Sequence, residues 1–351
     1  MTINEEKMMG YVHQAIGDFG SILSGALINV GDKLGLFKAL AEGGPMTSEE
    51  LAERTGTAER YVREWASGLA AAGYVDYLGN GQYALNEEQA VVLVDETSPA
   101  YVIGGFQLML AATRILPKAV DAFRTGDGIG WHEHDPDLFQ GTERFFRPGY
   151  GANLVQSWIP ALDGVDAKLR AGAKVADIGC GYGASTIIMA AAYPQSHFWG
   201  FDYHEPSIRH AKDAAAAAGL SDRVTFEVAA AKEYPGTDYD LVCHFDCLHD
   251  MGDPVGAARY TRESLKSDGH WLLVEPFAND DLTENLNPIG RVFYSASTLI
   301  CTPASLSQEV GAGLGAQAGE GRLREVAKEA GFSSFRRATE TPFNLVLEGR
   351  P

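Results

Sequence analysis

Lys174-Val-Ala-Asp-Ile-Gly-Cys-Gly-Tyr-Gly183 is the stretch that decides how this 351-residue chain is read. Lys174 to Ile178 has the apolar content of a short buried strand, and Gly179, Gly181 and Gly183 follow on alternate positions. Ala184 to Tyr193 is apolar enough to be a helix lying on a sheet. Strand, tight glycine turn and helix together form the first crevice of a doubly wound α/β sheet, where backbone comes close to a ligand. Glycine suits that turn because a Cβ would hold the ligand away and because the backbone there takes positive φ.

The glycines alone also admit a dinucleotide, since read as Gly-x-Gly-x-x-Gly/Ala they end on Ala184. Asp177, two residues before the first glycine, argues otherwise. A carboxylate there repels a pyrophosphate and suits a ligand carrying a positive charge. His197-Phe-Trp-Gly-Phe-Asp202 is a second apolar run, ending on an acid 23 positions after Gly179, where a carboxylate can accept from ribose hydroxyls. Asp-x-Gly-x-Gly-x-Gly followed by Asp202 resembles the class I S-adenosylmethionine-dependent methyltransferases. The resemblance implies a Rossmann-like, seven-stranded methyltransferase sheet and S-adenosylmethionine as cofactor.

From residue 174 onward, strands and helices alternate. Val224-Thr-Phe-Glu-Val reads as the third strand of this unit, Tyr239 to His244 as the fourth and His270 to Glu275 as the fifth. Phe332 to Thr339 and Phe343 to Glu348 make a closing hairpin, which puts an antiparallel strand into a parallel sheet. Gly311-Ala-Gly-Leu-Gly315 has no strand before it and reads as a flexible loop.

The N-terminal part has a different pattern. Residues 8–41 carry apolar residues at helical spacing and read as two helices hinged near Gly31-Asp32. Thr47, with Glu50 three residues on, caps a further helix; another spans Ala58 to Ala72. Tyr74 to Leu85 turns at Gly79-Asn-Gly81 as a hairpin, completing a winged helix. DNA binding needs a basic face. Residues 1–98 hold 6 Lys+Arg against 15 Asp+Glu, and Arg60 and Arg63 are matched by Glu59 and Glu64. The expectation is a dimerisation domain without a nucleic-acid partner. Three regions follow: 1–98 winged helix, 99–170 helical connector and substrate-pocket region, and 171–351 cofactor-binding domain. Ile16, Phe19, Leu23 and Leu27 suggest a homodimer through the N-terminal helices.

Composition sets bounds. The formal charge of −19 argues against nucleic acid or an anionic membrane as partner of the whole chain. Cys180, Cys243, Cys247 and Cys301 show no disulfide framework and no paired zinc spacing, so free thiols are expected. The acidic start carries no signal-like apolar core, and Ala100 to Leu110 is too short to span a bilayer, so a cytoplasmic protein is expected. His132 and His134, with Glu133 and Asp135, lack further ligands at a metal-site spacing, so a solvated loop and no metal are expected.

Phe245-Asp-Cys-Leu-His-Asp-Met-Gly-Asp-Pro254 brings a closer resemblance. With the winged helix it is similar to the small-molecule O-methyltransferases of the caffeate type and of bacterial antibiotic pathways, and to a related mycobacterial subgroup that shares the run around Cys301. That family has His-Asp-Trp after the fourth strand, with the histidine as general base. His249-Asp250 matches it, Met251 replacing tryptophan, and Glu275 matches the acid that orients the histidine. The resemblance implies catalytic roles for His249 and Glu275. It implies cofactor contacts at Asp177, Gly179, Cys180, Gly181, Asp202, Tyr203, Ala230, Ala231 and Phe245, with His244 a cofactor-pocket or structural residue. Ala230 stands where many members have an adenine-binding acid, so adenine must be held by backbone or apolar neighbours. The expected reaction is methylation of an aromatic hydroxyl on a small molecule. N- or S-methylation by proximity, or a regulator that senses S-adenosylmethionine, are the alternatives.

Overall fold

A computed structural model of the chain describes residues 3–351. These divide into two compact units between Leu110 and Ala111, so segment 99–170 is shared between them.

The first unit is helical. Helix α1 (Glu5–Lys33) is followed by α2 (Leu36–Gly43), α3 (Ser48–Thr55) and α4 (Glu59–Ala71). The break between α1 and α2 falls at Gly35, which takes φ 69°, rather than at Gly31-Asp32. Gly31 stays helical because its missing Cβ makes room for Trp65 and Phe37. Thr47 caps α3 as its spacing predicts: the Glu50 amide donates to the Thr47 hydroxyl, and the Thr47 amide donates to the Glu50 carboxylate. Strands β1 (Met46–Thr47), β2 (Asp76–Gly79) and β3 (Gln82–Ala84) form the small wing in the order β1-β3-β2. Trp65 locks the unit, its indole N–H donating to the Leu27 carbonyl at 2.8 Å.

The second unit holds a seven-stranded sheet. Its strands are β4 (Lys174–Ile178), β5 (His197–Asp202), β6 (Val224–Val228), β7 (Tyr239–Phe245), β8 (Leu265–Pro276), β9 (Ser334–Glu340) and β10 (Asn344–Arg350). Their order is β6-β5-β4-β7-β8-β10-β9. The first five are parallel, and β10 runs antiparallel to β8, with Leu345 opposite Glu275. Side chains alternate across the sheet. Val175, Leu241, Cys243, Leu272 and Val274 pack into one core, while Ala176, Ile178, Val242 and Leu273 pack into the other. Both faces of β4 and β7 are therefore buried in apolar surroundings, which is why these strands are mostly hydrophobic, with Asp177, Asp240 and His244 as buried polar exceptions. The loop at Gly311–Gly315 is pinned: the Ala312 amide donates to the Gly252 carbonyl and the Gly313 amide to the Ser305 hydroxyl. Among the described residues, no helix is long and apolar enough to cross a membrane.

Candidate active site

The carboxyl ends of β4, β5 and β7 open on one cavity of about 480 Å³ in the second unit. In an open parallel sheet, ligands bind at this end, where the strand order reverses. Here the reversal lies between β5 and β7, either side of β4.

The glycine turn forms the floor. Gly179 has φ 70°, and a Cβ on it would lie 2.8 Å from the Cys247 sulfur. The amides of Gly179 and Cys180 both donate to the Phe201 carbonyl, which ties the turn to β5. Gly183 starts the helix Ala184–Ala192 at φ 82°, with the Phe226 ring where a Cβ would be. Asp202 accepts the Gly181 amide on one oxygen and the His204 amide on the other, at 3.0 and 2.8 Å. Burial raises its pKa above the usual carboxylate range against those two hydrogen bonds.

Aromatic side chains make much of the remaining wall. Phe139, Phe146 and Tyr150 project from the helix Pro136–Asn153, joined by Trp131 and Phe245. Tyr150 and Phe146 stack, their centroids 5.9 Å apart. Ala304, Ser307 and Gln308 close the far side. Among the described residues on this wall are four acids, Glu143, Asp202, Asp246 and Asp250, and no Lys or Arg. A pyrophosphate would find no cation here.

Of the residues singled out from sequence, Gly179, Cys180, Gly181, Asp202, Tyr203, Ala230, Ala231 and Phe245 all line this cavity. Asp177 and His244 do not. The Asp177 carboxylate turns into the sheet–helix interface, where one oxygen accepts from Ser185 and from Thr186, both at 2.6 Å. Burial pushes its pKa up to about 6. His244 faces the opposite core, accepting from the Trp271 indole at 3.0 Å, and burial drives its pKa down to about 3. It is a neutral core histidine.

His249 sits behind the wall, 3% exposed. Its Nδ1 hydrogen-bonds the Glu275 carboxylate, and its Nε2 lies 3.2 Å from Asp250 Oδ1. Glu275 is fixed by the Leu248 amide at 2.9 Å. Burial opposes a charged ring, but the adjacent Glu275 and Asp250 carboxylates outweigh it and hold the pKa well above the ordinary histidine value. Asp250 and Met251 are the parts of this turn that reach the cavity. Cys301, carried on a π-helical segment Ser297–Cys301, completes a His249, Asp250, Cys301 group whose ligand-type atoms lie within 4.8 Å of one another.

Sequence reading did not single out Asp246. Asp246 follows β7 directly, with φ 51°, and accepts from the Tyr150 hydroxyl and from the Asn344 side-chain amide, both at 2.9 Å. An acid immediately after a fully buried strand was the available signal. The expected solvated loop at 130–135 is more ordered than that: His134 is buried, and Lys118 pairs with Glu133 and Arg114 with Asp135.

Comparison with known proteins agrees with this arrangement. Residues 169–330 match the model described as a methyltransferase domain, and residues 23–95 match the Rv2258c-like winged HTH domain. Residues 169–330 form a methyltransferase domain. The chain is 27% identical over 272 residues to the mitomycin biosynthesis 6-O-methyltransferase of Streptomyces lavendulae, covering 72% of this chain and 75% of that one. It is 37% identical over 107 residues to the 27-O-demethylrifamycin SV methyltransferase of Amycolatopsis mediterranei (strain S699). That match spans 30% of this chain and only 39% of the rifamycin enzyme. The solved structure of PigF with SAH shares the fold over all of both chains, with a TM-score of 0.74 at 18% identity.

S-adenosylmethionine is the cofactor of this methyltransferase, and the site's chemistry fits it. Asp202 stands at the end of β5, where a carboxylate can accept from ribose hydroxyls, Ala229–Ala231 offer an apolar shelf beside it, and the wall carries four acids with no Lys or Arg among the described residues. That charge balance suits a sulfonium and an ammonium.

Proposed function

We propose that this methyltransferase acts on an oxygen of a small, largely apolar molecule held against Phe139, Phe146, Tyr150 and Met251. The observation that carries this reading is the His249–Asp250 pair beside an aromatic wall that shares one cavity with the glycine turn. When bound, S-adenosylmethionine supplies a methyl group on a positively charged sulfur.

The chain's own work is to hold an acceptor, keep water out and receive a proton. A phenolic hydroxyl has a pKa near ~10 and is a poor nucleophile until deprotonated. Asp250 reaches the cavity, and His249 lies against its carboxylate. In this proposal Asp250 is the face of the pair that meets the acceptor, and His249, oriented by Glu275, sets its charge. The general-base role of His249 becomes a role shared with Asp250. Loss of a general base costs about 10²–10⁴-fold in turnover. His249→Ala, assayed by methyl transfer to a panel of hydroxylated aromatics, is expected to fall in that range with S-adenosylhomocysteine affinity retained. Near-full activity would favour an N or S acceptor methylated by proximity alone.

The first unit is proposed to dimerise. Ile16, Phe19 and Leu23 on α1 are 59%, 64% and 67% exposed, an apolar stripe that a second copy would cover. The pairs Arg60–Glu64 and Arg63–Glu59 neutralise the would-be recognition helix, which supports a role other than reading DNA. Light scattering is expected to give twice the chain mass; a monomer at micromolar concentration would remove the dimer. A gel shift with genomic fragments is expected to show no retained band.

A further inference from the structure

We propose that Asp246 is the counter-charge for the ammonium group of the bound cofactor, and that it releases its proton to solvent when that ammonium arrives. The proposal rests on S-adenosylmethionine being the cofactor and goes beyond it by assigning a residue and a protonation change.

Sheet order supplies the first argument. Ala229 follows β6, Asp202 ends β5, Gly179 follows β4, and Asp246 follows β7, and these strands are consecutive neighbours. Strands lie about 4.8 Å apart, so Asp202 and Asp246 are separated by two spacings, about 10 Å. A nucleoside with its ribose at Asp202 and its base over Ala229–Ala231 therefore sends its other end across the glycine turn to Asp246. Cys247, the next residue, confirms the closeness to that turn: its thiol donates to the Ile178 carbonyl at 3.2 Å.

Elimination among the acids supplies the second. Asp177 is off the wall, held by Ser185 and Thr186. Glu143 pairs with the Arg147 guanidinium at 3.1 Å, Asp202 is tied to two backbone amides, and Asp250 faces His249. Asp246 meets only neutral donors, the Tyr150 hydroxyl from one helix and the Asn344 amide from β10. The other titratable groups acting on it are Glu275 at the end of β8, and His249 and Asp250 in its own turn, with the Cys247 thiol next to it in the chain. One histidine among Glu275, Asp250 and Asp246 leaves the group short of positive charge. A non-glycine residue at φ 51°, fixed by its amide to the Val274 carbonyl, is the kind of constrained backbone that persists where a side chain must be aimed.

The protonation change follows from burial. With the cavity empty of cations, burial and the Glu275 charge raise Asp246 to about 8, so at neutral pH it is mostly the neutral acid. An ammonium beside it favours the carboxylate, and the displaced proton leaves to buffer.

Calorimetry in buffers of different ionisation enthalpy, at about pH 7 where an α-amino group is mostly charged, tests this on the whole protein. S-adenosylhomocysteine is expected to bind with release of most of one proton. 5′-Methylthioadenosine, which keeps the nucleoside and lacks the amino acid, is expected to release none. Asp246→Asn should abolish the release and weaken S-adenosylhomocysteine by about 10- to 100-fold, the range for a hydrogen bond to a charged group. No buffer dependence in the wild type, equal release with 5′-methylthioadenosine, or unchanged release in Asp246→Asn would each overturn the proposal. Tyr150→Phe, should Asp246→Asn not fold, removes a donor to the carboxylate and is expected to enlarge the release measured at about pH 8; an unaltered release would count against it. Absence of binding by both nucleosides would strike the cofactor assignment itself, an outcome distinct from binding without proton release.

Discussion

Two buried histidine–carboxylate pairs brace the same sheet, one within it and one at the carboxyl end of its strands, and only the second adjoins the cavity. His249 pairs with Glu275 beside the cavity; His270 on β8 pairs with Glu348 on β10, Nδ1 to Oε1 at 2.6 Å. Both histidines are 3% exposed. The difference lies in the second neighbour. Glu348 also meets the Arg336 guanidinium at 2.5 Å, so its charge is matched. Around His249 the added neighbours are Asp250 and Asp246, and no Lys or Arg joins them on the cavity wall. A buried pair completed by an arginine is a structural strut. A buried pair beside unmatched acids that reach a cavity, here Asp246 and Asp250, has charge left for a ligand.

The largest expected effect separates the two pairs directly. His249→Ala is expected to lose about 10²–10⁴-fold in turnover, whereas His270→Ala should turn over at close to the wild-type rate when assayed below its melting temperature. His270→Ala instead removes a hydrogen-bond partner from a buried carboxylate, which costs about 1–3 kcal/mol. Thermal unfolding of His270→Ala should therefore drop by roughly 3–10 °C. A turnover loss in His270→Ala as large as that in His249→Ala would end the distinction drawn between them.

How much of this was legible in sequence depends on the range of the interaction. Gly179 and Gly181, and Asp202 at the end of its strand, were readable because a turn and a strand end are local events, and the structure places all three on the cavity. Asp177 was legible as an acid but not as to where it points. Strand alternation puts Val175 and Asp177 on one face, and only the Ser185 and Thr186 hydroxyls of the following helix decide that the carboxylate is drawn inward. For His244 the sequence left a cofactor-pocket and a structural role open, because the partner that decides for the core, Trp271, lies 27 residues away. The sequence puts the hinge of the first helices near Gly31-Asp32 because glycine is about 1 kcal/mol less favourable than alanine inside a helix. Here Gly31 answers to the packing of Trp65, and Gly35 carries the break. Asp246 is explained by Tyr150 and Asn344, 96 and 98 residues distant, which no local pattern announces.

The two acid environments also carry opposite pH signatures. Asp246 is raised to about 8 in the folded chain, so the stability it contributes is full below its unfolded pKa and is lost as pH climbs through 8. Glu348 is lowered, burial opposing but His270 and Arg336 prevailing, so its contribution is present above its unfolded pKa and is lost as pH falls through the folded value. Melting temperatures across pH should show both limbs. Asp246→Asn should flatten the decline between pH 5 and pH 8 and leave the acid limb alone. A decline of unchanged slope would mean that Asp246 does not titrate in that window.

Arg336→Ala is the smallest expected effect and tests the strut reading at its outer end. The Arg336 side chain is 45% exposed although Glu348 is 3% exposed, so water and salt screen the pair from one side. Screened pairs of this kind contribute about 0–1 kcal/mol. The variant should therefore melt only slightly lower at neutral pH, and most of that deficit should vanish in high salt, because screening removes what the arginine adds. The acid limb should begin at a higher pH than in the wild type, since Glu348 would keep His270 and lose one of the two groups that lower it. If the variant instead loses as much stability as His270→Ala, Glu348 depends on its arginine as fully as on its histidine. The contrast with Glu275, which has the Leu248 amide and His249 for partners, would then be sharper still.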